Sequence, residues 1–176
     1  GPRVAIIGAG GIGFDVAEYL TGAGQSPTLD PALWRREWGV GDPATVAGGL
    51  VAPAPEPPAR QVWLLQRKAE KPGRGLGKTT GWIHRAALQA KGVKMWGGVT
   101  YREITAEGLW IERDGTAEHL PVDTVILCAG QVSDRNLADQ LAASGIAAHI
   151  IGGADLASEL DAKRAIDQGA RLAASI

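Results

Sequence analysis

Hydrophobic positions come in two rhythms along this chain. Val4 to Ile7 form an unbroken apolar run, glycines dominate residues 8–13 (GAGGIG), and then Phe14, Ala17 and Leu20 recur at helical spacing. A continuous apolar run predicts a parallel strand buried on both faces, and the helical spacing after it predicts an amphipathic helix. Thr21-Gly22 closes that helix, glycine being favoured just past a helix end.

From 22 to 60 the pattern lapses. Asp30-Pro31 predicts an N-cap with proline at the first helical position, opening a short helix through Trp34 and Trp38. Glycine and proline dominate from Gly39 to Pro58, and APAPEPPA cannot pair as a central strand. The stretch reads as an insertion whose tryptophans pack on the surface.

The rhythm then resumes. QVWLL is a strand ending near Leu65, and GKTTGWIHRAALQAKG is a helix with Thr79 or Thr80 as cap and Ile83, Ala87 and Leu88 facing inward. VKMW is a short strand. VTYREIT, GLWIERDG and AEHLPV alternate around turns at Gly108 and Asp114-Gly115, the pattern of a β-meander. DTVILCAG is a further apolar strand. Beyond Gly130 come a loop and helix (QVSDRNLADQLAASG), a strand and turn (AHIIGGAD), and a last helix of about five turns over 156–176. Strands alternating with helices define an α/β fold, a Rossmann-like parallel sheet with a β-meander.

Gly8-Ala9-Gly10-Gly11-Ile12-Gly13 satisfies G-x-G-x-x-G directly after a strand and at the start of a helix. The first glycine allows the tight turn, the second lets a pyrophosphate approach, and the third lets helix and strand pack closely. The helix N-terminus adds roughly half a positive charge facing the phosphates. Dinucleotide binding is therefore expected. The second strand runs into Gln66-Arg67-Lys68, with no acid until Glu70. Two cations suit a 2′-phosphate, whereas a carboxylate there would accept from a ribose hydroxyl, so NADP(H) is expected over NAD. From Gly13 to Gln66 the chain runs well beyond the roughly 20 residues usual in this motif, and the insertion supplies the excess.

GRGLGKTT at 73–80 ends like a triphosphate-binding loop, but that loop requires glycine at position 72, which is Pro72, and an apolar strand immediately before it. It reads instead as a basic loop beyond the 2′-phosphate position. Lys78 either supports the cofactor or belongs to an ordinary surface loop. Gly130, closing the DTVILCAG strand, would let the nicotinamide half approach. Asp155 can cap the last helix. His84, His119 and His149 lack ligand spacing and read as structural or solvated, and Cys128, the only cysteine, reads as core.

Charge and composition narrow the partners. With 18 Lys and Arg against 19 Asp and Glu, and no basic run, nucleic acid is not expected as the main partner. No apolar run approaches the ~20 residues that cross a bilayer, and no signal peptide is apparent, so a cytoplasmic location is expected. The chain lacks an initiator methionine and enters a strand at once, as an excised piece of a longer polypeptide would.

GAGGIGFDVAEYL, LLQRKAEKPGRGLGKTTGWIHR, VILCAG and IIGGADLASELDAKRAI together resemble the C-terminal part of NADPH-dependent 2,4-dienoyl-CoA reductase, the bacterial iron–sulfur flavoenzyme of unsaturated fatty acid β-oxidation. The resemblance covers essentially the whole chain, and the stretch from LLQRK to WIHR is its most specific part. It implies a parent with an FMN-binding barrel, a four-iron cluster and an FAD-binding domain that partner this NADPH-binding region, which passes hydride from NADPH to FAD. It also implies that residues 1–130 are the NADP(H)-binding domain and 131–176 the returning segment of a split FAD-binding domain, with Gly153 and Asp155 on an FAD-contacting turn. The chain has no barrel, no cluster cysteines and no first FAD glycine motif, so dienoyl reduction by this piece alone is not expected. Two other readings stand beside it: the NAD(P)H domain of another barrel flavoprotein, such as an enoate reductase, and a Rossmann interaction module without catalysis.

Overall fold

Four consecutive residues are buried in each of two strands, β1 (Arg3–Ile7) and β2 (Gln61–Leu65), of the computed structural model, which describes residues 1–158 and 160–176. Burial of both faces is the reason these strands read as unbroken apolar runs. They pair in parallel, with β3 (Lys94–Trp96) beside β2 and β7 (Thr124–Leu127) beside β1, in the order β3-β2-β1-β7.

The period-two geometry of a strand sends alternate residues to two different cores. Val4, Ile6, Val62 and Leu64 meet Phe14 and Ala17 of α1 (Gly11–Thr21) and Leu88 of α3 (Gly81–Ala90). Ala5, Ile7, Trp63 and Leu65 meet Leu109, Ile111 and Leu120 from the meander of β4 (Thr100–Thr105), β5 (Gly108–Arg113) and β6 (Thr116–Leu120). The result is three layers: helices, parallel sheet, antiparallel sheet. Each fully buried Leu or Ile at these interfaces contributes about 1.5–3 kcal/mol. The meander turns at Asp114-Gly115, both at positive φ (52° and 76°), as a tight two-residue hairpin turn requires.

In the insertion, Asp30 caps α2 (Pro31–Trp38): its Oδ1 accepts from the backbone N–H groups of Ala32 (2.9 Å) and Leu33 (3.2 Å). Trp34 and Trp38 lie 6.4 Å apart between ring centroids, with Trp34 part-exposed on the surface. Residues 51–60 form no strand. A cleft of about 580 Å³ opens among the C-terminal ends of α1, α2 and α3, lined by Tyr19, Trp38, Glu37 and Lys91 among others. None of residues 8–13, 67, 68 or 78 lines it.

The chain divides into two units, Gly1–Cys128 and Ala129–Ile176. The second contains α4 (Asn136–Ala143) and α5 (Ala162–Ala173). Several expectations change. Residues 148–151 pair with nothing among the described residues and form no strand, since an apolar run becomes a strand only beside a neighbour. The last helix has 12 residues, roughly three turns rather than five. It begins after Asp161, whose Oδ1 accepts from the Arg164 N–H at 2.7 Å, so Asp161 and not Asp155 is its cap; Glu159, inside the span read as helix, lies outside the described residues. In α3, Ile83 is 37% exposed and only Leu88 is fully inward, while Thr80 precedes the helix without a side-chain capping bond. Among the described residues no helix is long and apolar enough to cross a membrane.

Candidate dinucleotide-binding site

Three parallel strands end level with one another. Ile7 is in register with Leu65 on one side and Leu127 on the other, the Gly8 N–H donates to the Leu65 carbonyl (2.8 Å), and the Cys128 N–H donates to the Ile7 carbonyl (2.7 Å). The loops leaving β1 and β2 therefore share the carboxyl edge of the sheet, the side on which open α/β sheets take ligands.

Gly8 turns the chain at φ 118°, a region closed to side chains, and Gly10 precedes α1 in extended backbone. The three sequence-predicted glycine roles separate by space. A Cβ on Gly13 would sit 1.8 Å from the Gly8 carbonyl oxygen and 3.3 Å from Leu64 Cδ1, so this glycine is where helix and strand touch. A Cβ on Gly10 or Gly11 would meet nothing within 4 Å. These two glycines are exposed, and Ile12 beside them is 57% exposed, whereas Ala9 is buried beneath the turn. The first-turn N–H groups of α1 have no intrahelical acceptor, and no acidic residue stands in that turn to compete with an anion. An open, N–H-lined surface of this kind fits a pyrophosphate.

Arg67 and Lys68 are exposed at the end of β2. Arg67 is close enough to the Tyr101 phenol to oppose the upward push that burial gives its pKa. Glu70, the one acid between 61 and 80, is paired with Arg74 at 3.0 Å. The loop of the GRGLGKTT stretch is anchored. Pro72 and Gly73 are buried, a Cβ on Gly73 would lie 2.6 Å from Phe14 Cζ, and Arg85 Nη1 donates to the Gly73 carbonyl (2.9 Å). Its backbone thus packs on the start of α1 instead of wrapping a triphosphate, while Lys78 is exposed. His84 Nδ1 lies 2.6 Å from Glu18 Oε1, joining α3 to α1, and His119 stacks on Trp110 at 4.6 Å, both structural arrangements. Burial raises the Cys128 thiol, which sits against the helix-side core.

Gly130, Gly153 and Asp155 belong to the second unit. Gly130 is exposed at φ 124°. Asp155 is engaged within its own unit: Oδ2 accepts from Gln168 Nε2 of α5 (2.8 Å), and Arg135 stands 3.5 Å from Oδ1. Gln168 Oε1 also accepts from the Gly152 N–H (2.8 Å), so α5 holds the IIGGAD turn. The motifs did not single out Gln66, Tyr101, Arg74 or the Gly97-Gly98 pair; the glycine pair directly after β3 was the one available signal.

Fold and site define a Rossmann-like dinucleotide-binding chain. Residues 1–158 match the pyridine nucleotide-disulphide oxidoreductase family, and the chain belongs to that family, whose members are FAD/NAD(P)-dependent oxidoreductases. A metal reductase of Desulforamulus reducens is 38% identical over 65 residues, which is 37% of this chain and 10% of that protein. Among solved structures, a 2-naphthoyl-CoA reductase in complex with 2-naphthoyl-CoA superposes with TM-score 0.66 at 18% identity, over 100% of this chain and 21% of that one. Histamine dehydrogenase from Rhizobium sp. 4-9 gives 0.63 at 17%, over 98% and 23%. A 6-hydroxypseudooxynicotine amine oxidase from Pseudomonas geniculata N1 gives 0.65 at 17%, over 97% and 22%. At these identities the structures share the fold, and the chain spans about a fifth of each.

Proposed function

We propose that this chain is the NADP(H)-binding, electron-input region of a 2,4-dienoyl-CoA reductase. The observation that carries the nucleotide choice is the end of β2: two cations, Arg67 and Lys68, exposed beside the glycine turn at the position where a carboxylate would accept from a ribose hydroxyl. Bound NADPH supplies a hydride, destined for the flavin of the parent enzyme. The chain's own residues bind and orient. The N–H groups at the start of α1 take the pyrophosphate, Gly10 and Gly11 leave it room, and Arg67 and Lys68 take the 2′-phosphate. Lys78 adds positive charge on the neighbouring loop. Residues 131–176 are assigned to the returning part of an FAD-binding domain, with Gly153 and Asp155 toward the flavin. FMN, the four-iron cluster and the acyl-CoA site belong to the parent chain, in the cytoplasm.

Calorimetry tests the assignment. NADPH should bind at least about tenfold more tightly than NADH, since a charge-assisted hydrogen bond contributes about 1.5–3 kcal/mol. Arg67→Ala with Lys68→Ala should erase the difference; equal affinity in the unmutated chain would refute the choice of NADP. A second reading, another barrel-type flavoprotein, is favoured by the fold shared over nearly the full chain with a naphthoyl-CoA reductase and two amine-oxidising enzymes. The sequence of the parent's substrate domain separates the two.

A further inference from the structure

Arg67 and Lys68 sit on a short turn, residues 66–70, whose backbone is held from three directions. The Gln66 side chain folds back over it, its Nε2 donating to the Lys68 carbonyl (3.0 Å) and to the Glu70 carbonyl (2.6 Å). The Gly98 N–H donates to the same Lys68 carbonyl (2.9 Å). Gln66 is itself fixed by its backbone, donating to the Trp96 carbonyl (2.9 Å) and accepting from the Val99 N–H (3.0 Å). Opposite, Gly97 packs so closely that a Cβ there would lie 2.6 Å from the Glu70 carbonyl oxygen, 2.8 Å from that of Lys68 and 3.2 Å from that of Ala69.

We infer that Gln66 and Gly97 are specificity-determining positioning residues: they hold the 66–70 turn in one conformation so that Arg67 and Lys68 present preordered cations to the 2′-phosphate. The inference rests on the NADP(H) reading above and deepens it. The amide suits position 66 because its one –NH2 nitrogen carries two donors, enough for the two carbonyls that converge on it. A carboxylate there would repel both. Ordering matters because two long cationic side chains on a loose turn would give up conformational freedom on binding, and a fixed backbone reduces that cost. Both residues meet the backbone carbonyls of the turn, so the role assigned to them acts through the placement of Arg67 and Lys68.

The test compares NADPH with NADH, and 2′,5′-ADP with ADP, by calorimetry on the full chain and on Gln66→Met and Gly97→Ala. Gln66→Met keeps length and removes the donors; Gly97→Ala leaves Gln66 intact and displaces the turn from the other side. Each variant should lose about tenfold in affinity for the two 2′-phosphorylated ligands, a loss the size of one net hydrogen bond. Binding of NADH and ADP should change less than about twofold, which general destabilisation would not spare. If the unmutated chain prefers NADPH and a folded variant keeps that preference in full, the inference falls while the NADP(H) reading stands. No preference in the unmutated chain removes both. Because the two substitutions act from opposite sides of the turn, failure of one to fold leaves the other to decide.

Discussion

Gly13 and Gly10 stand in the same glycine turn and should respond oppositely to the same added methyl group. In Gly13→Ala the Cβ would be placed 1.8 Å from the Gly8 carbonyl oxygen and 3.0 Å from the Gly8 carbonyl carbon. The obstacle is backbone, and it cannot swing aside: Gly8 is tied to Leu65 by a 2.8 Å hydrogen bond. Helix α1 must therefore lift from β1, at a cost near the upper end of overpacking penalties, about 3 kcal/mol. At roughly 2–4 °C per kcal/mol for a chain of this size, the melting temperature should fall by about 6–12 °C. In Gly10→Ala the Cβ meets nothing within 4 Å. The lost chain entropy of the unfolded state favours alanine by about 0.4–1 kcal/mol, and the poorer N-cap opposes it by a similar amount, so stability should stay within about 0.5 kcal/mol. NADPH affinity should nonetheless drop steeply, because the methyl group occupies the surface proposed to take the pyrophosphate. Thermal melts followed by the fluorescence of the six tryptophans give the first quantity and calorimetry with NADPH the second. A Gly13→Ala variant that melts with the parent, or a Gly10→Ala variant that binds NADPH undiminished, would refute this division of roles.

Two further outcomes concern the ends of the first unit. Asp123 accepts from the Arg3 guanidinium (2.7 and 3.2 Å) and the Arg3 backbone N–H (2.9 Å), and these bonds hold its carboxyl below the usual range. A depressed folded pKa gives stabilisation that is present above the ordinary value, about pH 4, and is lost as pH falls through the lowered one. Asp123→Asn should melt below the parent at about pH 7, and the gap should close on acidification; a gap as wide near pH 2 as near pH 7 would count against the pairing. Cys128, whose thiol burial pushes upward, should react with an aromatic disulfide at about pH 8 more slowly in the folded chain than in the denatured one, since thiolate is the reactive form. Equal rates would show the thiol to be open to solvent.

Local pattern carries much of this protein. Val4–Ile7 followed by GAGGIG and Phe14, Ala17 and Leu20 is legible as strand, turn and helix because burial on both faces and a 3.6-residue period are written in neighbouring residues. The same holds for the cap at Asp30, the hairpin at Asp114-Gly115, and the exclusion of a triphosphate loop at Pro72. Contacts that the residue pattern does not announce, local and long-range, decided the rest. Residues 148–151 have the composition of a strand and lack a partner among the described residues. The last helix starts at Ala162, well past Leu156, because the cap is Asp161. Ile83 has an apolar side chain and helical spacing, yet α3 packs on the sheet through Leu88. Most of all, the cations at 67 and 68 could be read from the chain, but the glutamine amide and the Gly97 contact that hold them could not. A sequence records which residue types are adjacent along the backbone; which carbonyl meets which amide across distant positions depends on how β2 and β3 align, and only the folded sheet sets that register.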